Sequence, residues 1–178
     1  MNYPCLSEYI NSLLMDEDNF TTIKHFRPVL QSDGYPYFSN GNSAVVFKMK
    51  DENTGSLHAV KCFLKDQIER KESYQSITEE LKFVFSPFFV PVQYLDKEIF
   101  VSSLNSNETK FPVLLMDWVD GETLSEYVRT HYHDNYTLKM LSYQFGRLAA
   151  WLMTQPFAHG NLASDNILVK KDGSLVLV

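Results

Sequence analysis

The segment Ala158-His-Gly-Asn-Leu-Ala-Ser-Asp-Asn-Ile-Leu168 decides how the rest of the chain is read. It lies between two strongly patterned stretches. Upstream, Leu138, Leu141, Phe145, Leu148, Ala149 and Leu152 recur at the spacing of one helix face, so a long helix is expected over 138–155, ended by Pro156. Downstream, Ile167-Leu-Val and Ser174-Leu-Val-Leu-Val flank Lys170-Lys-Asp-Gly173, which predicts a hairpin turning at Asp172-Gly173. The loop from Phe157 to Asn166 joins the two. Met140, Tyr143 and Trp151 lie off the inner stripe of the helix, so an exposed apolar patch is expected there.

Toward the N-terminus the period changes from helix to sheet. Ala44-Val-Val-Phe-Lys-Met-Lys50 and Leu57-His-Ala-Val-Lys-Cys-Phe-Leu64 flank the polar Asp51-Glu-Asn-Thr-Gly55, a hairpin with a long turn. Strand alternation puts Ala59 and Lys61 on one face and Val60 and Cys62 on the other; Ala44, Val46 and Lys48 alternate likewise. Before the hairpin, Ser39-Asn-Gly-Asn-Ser43 is a small-residue turn whose amides could approach phosphates, although a plain hairpin turn reads the same way. Residues 66–84 carry Ile68, Ile77, Leu81 and Val84 among many charges, a solvated helix with a weak apolar stripe. Further strands are expected at Thr21–Leu30, Phe88-Phe-Val-Pro-Val92, Ile99-Phe-Val-Ser102 and Pro112–Val119, and a short helix capped at Ser7 over Leu6–Leu14.

The 178 residues are 44% apolar and include 13 Phe, 10 Tyr and 2 Trp, which is ample for a core and excludes a disordered or collagen-like chain. Sixteen Lys and Arg against 22 Asp and Glu give a formal charge of −6, the wrong sign for a chain devoted to nucleic acid. The longest charge-free apolar stretch, Phe83–Leu95, is broken by Pro87 and Pro91 and is too short to span a bilayer. Met1-Asn-Tyr-Pro-Cys5 has no basic region followed by an apolar one, so a cytoplasmic location is expected, with no membrane or nucleic-acid partner. Cys5 and Cys62 make neither a zinc spacing nor a disulfide framework. His131 and His133 flank Tyr132, but with no third ligand nearby they read as a loop between helices.

Taken in order, four motifs resemble the protein kinase superfamily from Ser39 to Val178. Ser39-Asn-Gly41-Asn-Ser-Ala44-Val-Val46 is similar to the family's glycine-rich loop, with Gly41 alone of its glycines retained. His58-Ala59-Val60-Lys61 matches the phosphate-binding lysine motif at its last three places. Leu115-Met116-Asp117-Trp118-Val119 resembles the hinge, and His159-Gly160-Asn161-Leu162 through Asn166 resembles the catalytic loop. The style of that loop is closest to bacterial kinase-like proteins, and it also looks like aminoglycoside and choline phosphotransferases.

The resemblance implies an α+β, protein-kinase-like fold: an antiparallel β-sheet N-lobe with one helix, and the start of a helical C-lobe. Residues 1–38 would be an extension packing on the N-lobe, 39–119 the N-lobe and hinge, and 120–178 a partial C-lobe. It implies ATP as ligand. Gly41 and Ala44 would line the phosphates, Val46 and Ala59 would sandwich adenine with Leu168 on the strand beyond, and Met116 would be the gatekeeper. The backbone of Asp117 to Val119 would bind the base, and Lys61 held by Glu80, preferred to Glu79, would orient the phosphates. Asn166 would face a Mg²⁺ ion.

The same resemblance implies impaired catalysis. Asn161 stands where the family's catalytic Asp accepts a proton, and an amide cannot take it. Gly160 and Ala163 replace basic residues of the motif. The D-F-G motif would follow Val178, so the polypeptide as it stands is expected not to be a competent kinase, and Mg²⁺ is expected to bind poorly. A nucleotide-linked regulatory role of a pseudokinase follows. An active phosphotransferase acting on protein Ser/Thr or a small molecule, and an interaction module without nucleotide, are the alternatives. A protein partner or self-association would use the exposed C-lobe surface.

Overall fold

The computed structural model describes residues 2–15, 18–66, 70–81, 84, 86–158 and 162–178. They form two compact units, the first made of Met1–Val84 and Pro91–Trp118, the second of Phe85–Val90 and Val119–Val178. The chain is α+β, with an antiparallel sheet and four α-helices among the described residues, an arrangement compatible with a kinase-like N-lobe.

Unit 1 is built on a six-stranded sheet. Its strands are β1 (Phe26–Pro28), β2 (Phe38–Asn40), β3 (Ala44–Asp51), β4 (Leu57–Phe63), β5 (Val92–Phe100) and β6 (Lys110–Asp117), ordered β1-β3-β4-β6-β5 with β2 also on β3. The β3/β4 hairpin is the one expected, in register from Ala44 opposite Phe63 to Lys50 opposite Leu57. Alternation then sorts its side chains. Val45, Phe47, Met49, Val60, Cys62 and Val113 turn to the back face, where they pack with Tyr9, Ile10 and Leu13 of α1 (Leu6–Met15) and with Phe20, Ile23 and Phe26. Cys62 is buried there, and its thiol is pushed well above the ordinary range by desolvation, which makes it an inert core residue.

The first thirty residues are part of this core. Tyr9, fully buried, donates its hydroxyl to the Phe63 carbonyl at 2.9 Å. Helix α1 is capped by Cys5 and Glu8 in place of Ser7: the Glu8 carboxylate accepts the Cys5 N–H at 2.8 Å and also the Leu104 N–H at 2.8 Å and the Ser103 hydroxyl at 3.0 Å. The expected strand over Thr21–Leu30 is reduced to Phe26–Pro28. A bulge in β5 between Leu95 and Ile99, with Lys97 at φ 50°, turns Glu98 inward, 1% exposed. Its carboxylate accepts the N–H of Thr22 at 2.7 Å, the N–H of Ile23 at 2.9 Å and the Thr22 hydroxyl at 2.7 Å. Those amides therefore answer to a side chain, not to a strand.

Helix α2 (Arg70–Leu81) packs mainly on β5. Tyr74 carries that contact, stacked on Tyr94 at 6.1 Å between ring centroids and tilted against Phe63 at 5.9 Å. The expected strand at Phe88–Val92 is reduced to an isolated parallel bridge of Phe89 with Leu177, the Leu177 N–H donating to the Phe88 carbonyl at 2.8 Å and the Val90 N–H to the Leu177 carbonyl at 3.1 Å; β5 starts only at Val92.

Unit 2 holds α3 (Leu124–His131), α4 (Asn135–Met153) and a three-stranded sheet of β7 (Gly121–Thr123), β8 (Ile167–Lys170) and β9 (Leu175–Leu177). The β8/β9 hairpin turns at Asp172-Gly173 as expected, with Gly173 at φ 77°, which L side chains avoid. Asp134 caps α4 by accepting the N–H groups of Tyr136 and Thr137. Of the expected α4 stripe, Leu141 and Leu148 are buried, whereas Phe145 is 39% exposed. Met140 and Tyr143 are exposed, but Trp151 is half-buried against Phe88, Phe89 and Phe157 and does not belong to the expected patch. His131 ends α3, its ring stacked on Tyr127. Among the described residues no helix is long and apolar enough to cross a membrane.

Candidate functional site

Partners in an antiparallel ladder point to the same side, so the register of unit 1 can be read across its front face as rows. One row is Lys48, Ala59, Met116 and Val92. The next is Ser39, Val46, Lys61, Leu114 and Tyr94. Ala44 and Phe63 follow, beside the β2/β3 turn. Gly41, Ala44, Val46, Ala59, Lys61 and Met116 are thus brought to one sheet, and all but Gly41 of the turn share its front face.

Lys61 is half-buried on this face, between Val46 and Leu114. Desolvation alone lowers its pKa from the usual lysine range. No carboxylate among the described residues forms an ion pair with it. Glu79 and Glu80 are both exposed on α2, whose half-buried residues, among those described, are Tyr74, Thr78 and Leu81. The Lys61–Glu80 pair expected from the sequence is not formed.

The turn above Lys61 is tight. The Gly41 N–H donates to the Ala44 carbonyl at 2.9 Å, and a Cβ on Gly41 would meet that same oxygen at 3.3 Å. Gly41 is therefore spent on closing the turn, which leaves Asn42 and Ser43 at its tip.

At the other end of the face, the Trp118 N–H donates to the Leu57 carbonyl at 3.1 Å. Antiparallel alternation then turns the backbone groups of Asp117 toward the β5 side. The residue next in register there, beyond Val92 opposite Met116, is Pro91, which has no N–H to give the Asp117 carbonyl. The Asp117 side chain lies on the back face, 3.4 Å from His58 Nδ1.

The remaining sequence-derived residues belong to unit 2. Val119 is its first residue after β6. Leu168 lies on β8 opposite Val176 and Thr123. Asn166 closes a 3-10 turn at Ser164–Asn166; its N–H donates to the Ala163 carbonyl and its carbonyl accepts from Val178. Asp165 of the same turn accepts the Ser125 hydroxyl at 2.6 Å. His159, Gly160 and Asn161 lie outside the described residues. Among those described, no three His, Cys, Asp or Glu side chains converge as metal ligands. A Mg²⁺ ion asks for carboxylates in octahedral geometry, so Asn166 by itself does not fit one.

Sequence reasoning gave no site role to two side chains of this face, Lys48 and Trp118. Trp118 stands two places beyond Met116 and so on the same side, with the Lys48 ammonium 4.6 Å from its ring centroid. The signal was present in the alternation but was read only as hinge backbone.

No family model matches the chain. Over 136 residues, 75% of this chain, it is 25% identical to a serine/threonine-protein kinase of Drosophila melanogaster. The matched stretch spans 17% of that relative's length. This is a weak likeness, and it supports a kinase-like domain at the coarsest level.

Proposed function

We propose that the chain is a kinase-like domain that binds an adenine nucleotide and has lost efficient phosphoryl transfer, serving a nucleotide-linked regulatory role. The observation that carries this reading is Lys61: a desolvated ammonium without a carboxylate partner among the described residues, on one face with Ala59 and Met116. Burying a cation costs free energy unless an anion answers it, and a nucleotide's phosphates supply that anion. The small Ala59 leaves room for a flat base, and the Asp117 carbonyl, with Pro91 opposite, is an acceptor for an amino group on it.

Impaired transfer follows from two features. The Asn161 amide cannot serve as general base, a role worth about 10²–10⁴-fold. Among the described residues Lys61 lacks the glutamate that the kinase template uses to hold it. No step is assigned to a metal. Mg-dependent turnover in a longer chain would favour the phosphotransferase reading. The exposed Tyr136, Met140 and Tyr143 on α4 favour, as a second reading, a docking role in which light scattering of the concentrated protein reveals association.

Thermal unfolding with ATP, with and without Mg²⁺, tests the proposal. A nucleotide at 100 Kd adds about 2.7 kcal/mol, or roughly 5–10 °C in midpoint. A rise that Lys61→Ala abolishes supports it. Cooperative melting without any shift would remove the nucleotide from the account.

A further inference from the structure

The rows of the front face have a direction. From one end they run through Trp118, then Ala59 with Met116, then Lys61, then the turn at Gly41–Ala44. Along β3 this covers the positions from Lys50 to Ala44, about 20 Å at the usual strand rise. An aromatic ring beside the Ala59 floor, then an ammonium and a turn, follow in the order of a base and its chain of phosphates.

The indole at the head of this series is held by Lys48 and Tyr37, which also touch each other. The Lys48 ammonium lies over it at 4.6 Å and over the Tyr37 ring at 5.6 Å. Tyr37 meets Trp118 edge-on, 5.7 Å between centroids at 90°. The backbones beneath are fixed as well: Lys48 N–H to the Tyr37 carbonyl at 2.9 Å, Tyr37 N–H to the Val29 carbonyl at 2.7 Å, and Trp118 N–H to Leu57. Lys48 comes from the row of Ala59, so its stem reaches along the face toward the ring.

We propose that Trp118 is the wall against which the base of the bound nucleotide packs, and that Lys48 is a positioning residue that sets the indole through the cation–π contact. This rests on the nucleotide reading above. A base stacked on an aromatic side chain is worth about 1–3 kcal/mol, which corresponds to a roughly 5- to 150-fold loss of affinity when the ring is removed. The contribution belongs to the base alone, so a ligand with phosphates and no base should be indifferent to it.

The test uses a Trp151→Phe background, in which Trp118 is the sole tryptophan. ATP and inorganic tripolyphosphate are titrated against this protein and against its Trp118→Ala, Lys48→Met and Lys48→Arg variants, by calorimetry and by Trp118 emission where the ring is present. ATP should perturb Trp118 emission in the parent. Trp118→Ala should weaken ATP roughly 5- to 150-fold and leave tripolyphosphate unchanged. Lys48→Met should shift the emission of the free protein and weaken ATP severalfold, with Lys48→Arg restoring both. Equal ATP affinity in the parent and Trp118→Ala would overturn the wall, and so would an equal loss for ATP and tripolyphosphate. Unaltered emission and affinity in Lys48→Met would overturn the positioning role. A folded parent that binds tripolyphosphate but discriminates nothing in favour of ATP also overturns the wall, whereas one that binds neither overturns the nucleotide reading itself.

Discussion

Replacing Lys61 by Met should separate ligand binding from stability. The ammonium is half-buried and desolvated, and its removal breaks no ion pair among the described residues. Met keeps a similar apolar stem between Val46 and Leu114, and the unliganded melting midpoint should hold or rise. Binding should suffer instead. A hydrogen bond from a charged group is worth about 1.5–3 kcal/mol, which raises the Kd roughly 10- to 150-fold. At an ATP concentration 100 times the parent's Kd, the parent gains about 2.7 kcal/mol. A variant weakened about 30-fold retains only about 0.9 kcal/mol by the same relation, so its shift falls from roughly 5–10 °C to about 2–3 °C. Differential scanning fluorimetry over an ATP series measures both quantities at once. An unliganded midpoint lowered by several degrees would mean that Lys61 sits in a structural ion pair, and an undiminished ATP shift would mean that it does not touch the nucleotide; either result refutes the reasoning.

Three further outcomes follow from the packing. Glu98→Ala leaves the buried Ile23 N–H and the part-buried Thr22 N–H without their acceptor, and should cost unit 1 about 2–3 kcal/mol, read as a lowered urea midpoint; a change under 1 kcal/mol would contradict the role given to the bulge. Gly121→Ala would bring a Cβ to 2.8 Å from the Val169 carbonyl oxygen on the paired strand, a backbone clash worth about 1–3 kcal/mol, visible in unfolding followed by Trp151 emission. For Glu8, desolvation raises the pKa, but the bonds from Cys5, Leu104 and Ser103 outweigh it and hold the carboxyl below its ordinary value. Its contribution is therefore complete above the unfolded-state pKa of about 4.3 and is lost as pH falls through the lower folded value; in Glu8→Gln that portion of the acid-side slope in melting temperature should disappear.

What the sequence made legible was local. The β3/β4 hairpin, the β8/β9 hairpin with its Gly173 turn, and α4 all rest on near-neighbour alternation or helical spacing, which any reader of the chain can see. The strand expected at Thr21–Leu30 failed because a carboxylate more than seventy positions away captures its amides, and only a bulge in β5 aims that carboxylate inward. The cap of α1 fell on Cys5 because Glu8 reaches back to it and across to Leu104, whereas Ser7 looked the better residue by type. At the site, alternation correctly set Ala59 and Lys61 on one face. It could not say that Tyr74 would seat α2 on Tyr94 and Phe63 with Glu80 in solvent.

The bonding of the first thirty residues also bears on how the chain can be shortened. The motifs begin at Ser39, and a deletion guided by them would start there. Such a protein would lose Tyr9, Phe20, Ile23 and Phe26 together, and leave Phe47, Met49 and Val113 facing water across the whole reverse side of the sheet. The smallest piece able to fold around Lys61 therefore begins well upstream of the first recognisable motif, near Tyr3, and an inert preparation lacking that segment would report on lost folding, not on an unused ligand site.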